Sequence, residues 1–417
     1  MVKNILSIID IGTTKICVLV ATQDCSGKLD LIGFGQHPSL GLKKGVVVNI
    51  TKTVDSIKNA IKKAEEMAKI KIENVTVGIS GGHIKSFNST GVVAVKNKNI
   101  SQTDIDRVIE SAKAIVLPED QEILHILPQY FKVDGQNLIL DSLGMHGIRL
   151  EAQIHIITGA ITSAQNIIQS CELAGVKVND IVLEQIASAD AVLSPSEKEL
   201  GVGILDIGGG TSDFAIYRDG RIMHSKVIAI AGNHFTNDLA IGLSIPIYQS
   251  EEIKKQYGFV WKEKFLDLDT DTIKINLGYT KETTKIEVYS LYDILAPRAE
   301  EVFDLLNKEL IKYKLKHFMP SGIVITGGGS LLSGIQELAK NKFKIPIRIG
   351  TPNCYKKNET TAEQEMPDLL KSPIYSTGYG LLIYASNKNK LDLTISSSNS
   401  NFKTVFKRMK SWIYDFL

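Results

Sequence analysis

At 417 residues, with 48 Lys and Arg against 46 Asp and Glu, the chain is long for one core and close to neutral, so two lobes or more are expected and the overall charge gives no case for nucleic acid. Four scattered cysteines, Cys17, Cys25, Cys171 and Cys354, lack ligand-like spacing; they read as reduced, mostly buried thiols of a cytoplasmic protein and exclude a disulfide frame or zinc site. Asp10 interrupts the short apolar run at the N-terminus, which therefore reads as a strand and not a signal peptide, and no stretch has the apolar length to span a bilayer.

The first element is a strand, a turn and a strand. Ile8 and Ile9 lead to Asp10, Ile11 and Gly12; Thr13, Thr14 and Lys15 follow, and apolar residues 16–20 lead away. Glycine lets a backbone come within hydrogen-bonding distance of a ligand, and successive N–H groups in such a turn make a nest for phosphate oxygens. A carboxylate at the strand end suits a hydrated magnesium ion beside them. Residues 29–35 and 45–50 read as further strands. Val54, Ile57, Ile61, Ala64, Met67 and Ala68 then recur at helical spacing, with Lys58, Lys62 and Lys63 on the solvated side. Residues 75–80 return as a buried strand, so the first lobe reads as α/β with a mixed sheet.

Between 84 and 158 the texture changes to a small inserted α/β module. Residues 92–95 are strand-like, 103–116 helical with Ile105, Val108, Ile109 and Ala112 on one side, and 123–133 extended. His83, His125, His146 and His155 lie in or beside it, but their spacing does not match a metal set and they read as structural or surface groups. A helix over 163–174 and a short strand lead to Glu184, which heads a helix rich in small residues. That carboxylate can cap its helix or orient an attacking water beside a terminal phosphate; both readings stay open.

A second hairpin follows: Leu205, Asp206, Ile207, Gly208, Gly209, Gly210 and Thr211, then Ser212, Asp213 and the alternating Phe214, Ile216 and Tyr217. Alone, it could be a Gly-rich hairpin without a ligand. Two copies in one frame predict a duplicated half-domain whose hairpins clamp a phosphate chain, with Asp10 and Asp206 converging on one metal. Gly232 then opens a helix, 251–258 is a short charged helix with Glu251 and Lys254, 270–290 alternates as exposed strands, and 299–313 is an amphipathic helix. Residues 323–326 form a strand ended by Gly327, Gly328, Gly329 and Ser330, whose N–H groups can meet an adenosine or a phosphate. The helix opened by Ser376, Thr377, Gly378, Tyr379 and Gly380 can pack closely on Ala187 and Ala189 of the Glu184 helix, as a hinge between lobes.

Residues 386–400 read as a flexible, serine-rich linker. In the segment 401–417, Phe402, Val405, Phe406, Met409, Ile413, Phe416 and Leu417 share a helical face with Trp412 at its edge, and Lys403, Lys407, Arg408 and Lys410 crowd the other side. A tethered basic amphipathic helix fits a membrane-surface anchor; docking on the protein's own surface or on a partner is the alternative. Each basic residue near anionic lipid contributes about 1 kcal/mol, and apolar burial adds roughly 25 cal/mol per Å². One copy would bind modestly and many on one assembly much more firmly.

Together, the two Asp-Ile-Gly hairpins, the Glu184 helix, Thr326-Gly327-Gly328-Gly329-Ser330 and Ser376-Thr377-Gly378-Tyr379-Gly380 resemble the ATPase fold shared by actin, DnaK-type chaperones and sugar kinases. Within it the chain resembles the FtsA family of bacterial actin-like division proteins. That likeness is carried by Ile123-Leu124-His125-Ile126-Leu127-Pro128, Gly144-Met145-His146-Gly147-Ile148-Arg149-Leu150-Glu151, Glu197-Lys198-Glu199-Leu200-Gly201 and Ile228-Ala229-Ile230-Ala231-Gly232.

The resemblance implies an α/β, actin-like ATPase fold. Residues 1–83 with 159–194 would be the first lobe, 84–158 the inserted subdomain, and 195–385 the second lobe, with its outer part at 245–320. It implies that Asp10 and Asp206 hold Mg2+ through water, and that residues 12–15 and 208–211 take the phosphates of ATP. Glu251 and Lys254 would meet adenosine from one side, and Gly327, Gly328, Gly329 and Ser330 from the other. It further implies filaments of the chain itself, contact with other division proteins, and binding of the C-terminal peptide of the tubulin-like protein FtsZ, with Arg298 one candidate for that contact. The site of action would be the cytoplasmic face of the cell membrane at the division site, held by the anionic lipid contacts of the tail. Gln185 stands where many of the superfamily have Pro, so entry to the Glu184 helix would differ, and relatives are slow ATPases at most. A PilM-like pilus-assembly ATPase shares the fold and module but would not need the basic tail. A small-molecule kinase would need a base and an acceptor pocket, for which no candidate stands out.

Overall fold

Both aspartate hairpins lie at the centre of five-stranded sheets with the same strand order. In the first sheet Asn4–Ile11 pairs antiparallel with Lys15–Gln23, and that strand with Leu29–Pro38 at the edge; on its other side it runs parallel to Asn74–Ile79, which runs parallel to Lys177–Leu183. The second sheet repeats the plan with Val202–Ile207 at the centre, Ser212–Arg218 and Arg221–Ile228 antiparallel on one side, and Ile323–Thr326 and Ile347–Ile349 parallel on the other. The central strands are apolar on both faces because both are covered. Val202 and Ile204 pack into a core continuous with the first lobe, while Leu205 and Ile207 face the second lobe's own core, as a period of two requires.

The computed structural model describes residues 4–24, 27–276, 283–353 and 368–396. The expected amphipathic helix at 401–417 and the end of the linker lie outside the described residues. Among the described residues, no helix is long and apolar enough to cross a membrane.

Two helices cross between the sheets, Glu184–Val192 and Ser376–Ser396. Their close approach has a definite cause: a β-carbon on Gly380 would overlap the Ala187 carbonyl, so backbone packs on backbone there. Within the inserted segment, Lys85–Ala94, Arg149–Ala160, Gln121–Val133 and Gln136–Ile139 form one sheet in that order, covered by the helix Gln102–Lys113 through Ile105, Val108 and Ala112. This unit lies against the edge strand Arg221–Ile228 of the second lobe through polar groups. Gln129 Nε2 donates to the carbonyls of Ile222 (3.0 Å) and Met223 (2.9 Å), Ser86 Oγ donates to the Ser225 carbonyl (2.6 Å), and His155 Nε2 lies 2.9 Å from Ser225 Oγ.

Three local expectations change. Only Val46–Val47 of the run 45–50 is strand, because the Asn49 side chain accepts from the Lys52 N–H and starts the helix Ile50–Ala68. The helix expected from 299 begins at Tyr289 and carries Pro297 inside it; burial of Leu291, Leu295 and Ala296 offsets the lost hydrogen bond. The last helix runs through Ser396, past the expected boundary at 385, although only Lys388, Lys390, Leu391 and Leu393 of the added residues are good helix formers.

Gly380→Ala tests the crossing. Helix propensity alone would raise stability by about 1 kcal/mol, whereas overlap with Ala187 should lower it by about 1–3 kcal/mol. Thermal unfolding is expected to show a lower Tm; an unchanged or higher Tm would contradict backbone-on-backbone packing.

Candidate functional site

Asp10 and Asp206 each stand one residue before the end of their central strands, so both carboxylates emerge at the strand ends facing the cleft. The turns that follow touch. A β-carbon on Gly209 would overlap the Thr14 side chain, and one on Gly210 the Thr13 hydroxyl, an approach open only to glycine. Each turn is braced by backbone: Gly45 N–H donates to Thr13 Oγ1 (3.0 Å), Gly208 N–H to the Thr211 carbonyl (2.9 Å), and Gly232 and Asn233 N–H to the carbonyls of Gly208 (3.0 Å) and Gly209 (2.8 Å).

Lys15 Nζ lies 3.2 Å from Asp10 Oδ2 and 5.4 Å from the centre of the Tyr375 ring. Burial works against its charge, but Asp10 and the neighbouring groups outweigh burial and hold the ammonium above its ordinary range. Asp206 is nine-tenths buried, and its Oδ2 accepts from Ser188 Oγ and from Thr377 Oγ1 (3.0 Å). The third glycine turn closes on the same carboxylate: Gly327 has φ 81°, and a β-carbon there would overlap Asp206 Oδ1. Ser330 Oγ donates to the Gly327 carbonyl (2.7 Å) and shapes that turn.

Glu184 opens its helix without capping it; Leu183 holds the cap position and makes no side-chain bond. The Glu184 side chain instead lies over Gly78, where a β-carbon would stand 3.3 Å from its Cγ. Burial first, and then the nearby Asp213, Asp10 and Asp206 carboxylates, push its carboxyl well above the ordinary range. Asp213 accepts from Ser80 Oγ (2.5 Å) across the cleft, and burial with Asp206 nearby pushes it up to about 7.

Lys254 Nζ donates to Glu251 Oε2 (2.6 Å), Thr236 Oγ1 (2.8 Å) and the Gly232 carbonyl (3.0 Å). The Glu251–Lys254 pair therefore adjoins the second turn through Gly232. Arg298 is engaged within its own lobe, with Nε and Nη2 on Asp238 (2.6 and 3.0 Å) and Nη1 on Glu301.

The structure thus gathers Asp10, Gly12, Thr13, Thr14, Lys15, Glu184, Asp206, Gly208, Gly209, Gly210, Thr211 and the Gly327 turn about one cleft. Among the described residues no three His, Cys, Asp or Glu side chains converge closely enough to cage an ion. A cation here would keep most of its water, and the hard carboxylate oxygens of Asp10 and Asp206 fit hydrated Mg2+. Backbone N–H groups of the two turns can meet phosphate oxygens.

Sequence reasoning missed Ser80, Ser188, Asp213 and Thr377. Asp213 carried a signal: it pairs directly opposite Asp206, where Cys17 stands opposite Asp10. It is the acidic departure between two otherwise similar copies.

A family model described as "SHS2 domain inserted in FTSA" matches residues 81–158, and one described as "Cell division protein FtsA" matches 203–380. The chain is similar to proteins named cell division protein FtsA from Pseudomonas aeruginosa (41% identical, covering 97% of this chain and 96% of the relative), Borreliella burgdorferi (37%, 99% and 98%) and Escherichia coli strain K12 (31%, 97% and 96%). Among solved structures, it is similar in fold to a PilM–PilN type IV pilus biogenesis complex (15% identity, TM-score 0.65, 92% of this chain and 99% of that one). MreB5 of Spiroplasma citri bound to ADP shares the fold too (17%, TM-score 0.57, 93% and 98%).

The raised Asp213 carboxyl gives a pH signature in metal-free protein. Unfolded, the group titrates near 3.8, and folded near about 7, so the folded state holds the extra proton between those values and stability falls as pH rises through them. Asp213→Asn removes that loss. Its advantage in unfolding free energy over the parent, measured by denaturant titration in EDTA, should widen between those two pH values and then level off, reaching about 2–4 kcal/mol; a gap that stays flat or narrows would contradict the assignment.

Proposed function

The chain belongs to the FtsA family of cell division proteins, and from that premise we propose that it is an ATP-binding, actin-like protein that polymerises on the cytoplasmic face of the membrane at the division site and ties FtsZ filaments there. The observation that carries the nucleotide part is the meeting of the two turns, Thr13 and Thr14 against Gly209 and Gly210, with Asp10 and Asp206 behind them. Full-length relatives favour this reading over pilus assembly, whose support is fold alone at 15% identity.

In this reading the backbone of residues 12–15 and 208–211 takes the phosphate oxygens, and Asp10 and Asp206 hold Mg2+ through water. The bound ion would neutralise phosphate charge. Glu251 and Lys254 border the adenosine on one side, and Gly327, Gly328, Gly329 and Ser330 on the other. Glu184 is the residue we assign to orient water; burial and the nearby Asp213, Asp10 and Asp206 carboxylates raise its carboxyl well above the ordinary range, which disfavours the ionised form. A smaller ionised fraction would slow proton transfer from water, and the nucleotide would act mainly by favouring the closed, assembly-competent arrangement of the lobes.

Residues 1–83 with 159–194, 84–158 and 195–385 are taken as the first lobe, the inserted subdomain and the second lobe. FtsZ and other division proteins would meet the lobes, FtsZ through the lobe that includes residues 260–320. Arg298 is already paired with Asp238 and Glu301 and is a poor anchor for that peptide. The tail supplies the membrane contact: Phe402, Phe406, Met409, Trp412, Ile413, Phe416 and Leu417 enter the interface, and Lys403, Lys407, Arg408 and Lys410 face anionic headgroups.

Two experiments test the reading. Asp206→Ala should lower Mg-ATP affinity roughly 10–100-fold while circular dichroism stays native; calorimetry giving the parental affinity would sink the assignment. Deleting residues 402–417 should abolish co-sedimentation with phosphatidylserine-containing vesicles, and a truncated protein that still pellets with them places the anchor elsewhere.

A further inference from the structure

Asp206 is held in an unusual way for a carboxylate at a strand end. One hydroxyl reaches it from each of the two crossing helices: Ser188 from the Glu184 helix and Thr377 from the Ser376 helix, both onto Oδ2, with the two hydroxyl oxygens 3.0 Å apart. All three side chains are nine-tenths or more buried. Each hydroxyl carries one proton, and both are directed at the same oxygen. The other oxygen, Oδ1, lies against the Gly327 turn. The crossing is tight at this level: Ser188 follows Ala187, whose carbonyl packs on Gly380, and Gly380 lies three residues along from Thr377.

We propose that Ser188 and Thr377 are positioning residues that tie the cation-side carboxylate, Asp206, to both inter-lobe helices, so that the grip of Asp206 on a hydrated cation depends on these hydroxyls. The proposal rests on the reading of Asp206 as a cation-holding residue. The hydroxyls have two effects. They donate to Oδ2 and so satisfy one oxygen of a carboxylate taken out of water. They also orient it, because with Oδ2 fixed between two helices the carboxylate cannot turn towards or away from the cleft without moving one of them. A movement of the carboxylate on cation binding is thereby passed to the helix crossing, and a change at the crossing is passed back to the cation.

A merely structural pair of hydroxyls would alter stability but not the response to Mg2+. The test compares ATP affinity with Mg2+ and with EDTA, by calorimetry, for the full-length parent and for Ser188→Ala, Thr377→Val and Thr377→Ser. In Ser188→Ala and Thr377→Val the gain in affinity conferred by Mg2+ should shrink roughly tenfold, the worth of a hydrogen bond to a charged group, while affinity in EDTA stays at the parental value. Thr377→Ser keeps the hydroxyl and should keep the parental Mg2+ gain. It also covers the case in which Ser188→Ala fails to fold, since Val and Ser at 377 differ little in size from Thr. An unchanged Mg2+ gain in Thr377→Val, or an equal loss in Thr377→Ser, overturns the proposal. A parent protein that binds ATP with no Mg2+ gain overturns the cation reading of Asp206 itself, an outcome distinct from failure of the hydroxyl coupling.

Discussion

An ionised carboxylate taken out of water must be met by donors or it takes up a proton. Asp206 sits at 6% exposure at the centre of the molecule, and much of the architecture around it follows from that requirement. Its donors come from two helices, so both helices must reach the strand end. They can do so because Gly380 has no side chain to hold the Ser376 helix away from Ala187. The third turn can close over the carboxylate because Gly327 combines positive φ with the absence of a β-carbon. The glycines and the hydroxyls answer one constraint: the first let backbone approach, and the second use that approach to satisfy a buried charge.

The acidic groups around the cleft extend this logic. Lys15 is paired with Asp10, and the carboxyls of Glu184, Asp206 and Asp213 are all displaced upwards, burial being the first cause in each case and mutual repulsion a further one. Such a group of acids favours an incoming cation over an incoming anion. In the proposed function, phosphate would therefore depend on the cation that accompanies it and on the backbone N–H groups of the turns, not on side-chain charge.

The hairpins could be read from the sequence because their signal is local. Apolar strand, Asp, Gly and small hydroxyl residues lie within a dozen positions, and their repetition at 10–15 and 206–211 reveals the duplication that the two sheet orders then display. The close packing of the Ser376 helix on Ala187 was readable for a similar reason, since glycine and alanine at a helix surface point to close approach. The groups that complete the site were not readable. Ser80 meets Asp213 across 133 positions, and Thr377 meets Asp206 across 171; a serine or threonine in a helix or at a strand end has too many ordinary uses for its distant partner to be inferred. Helix ends failed where one local rule outweighed burial. Proline is costly inside a helix and the helix read from residue 299 lies clear of Pro297, but the apolar face over Leu291, Leu295 and Ala296 carries the helix back to Tyr289.

Charge distribution links the two ends of the chain. The whole molecule is nearly balanced, 48 basic against 46 acidic residues, so its surface as a whole has little reason to seek an anionic membrane. Residues 402–417 carry Lys403, Lys407, Arg408 and Lys410 against Asp415. Four basic residues at about 1 kcal/mol each, with apolar burial added and the ordering of the tail subtracted, make a single proposed anchor reversible. In a filament each further tail would bind at an effective concentration of roughly millimolar order, so the proposed membrane affinity would rise steeply with assembly. A weak anchor would then be an asset: in the proposed function, subunits outside a filament would leave the membrane and those within it would remain. If the nucleotide cleft sets the shape that assembles, occupancy at Asp206 is read out at the membrane without any contact between the cleft and the tail.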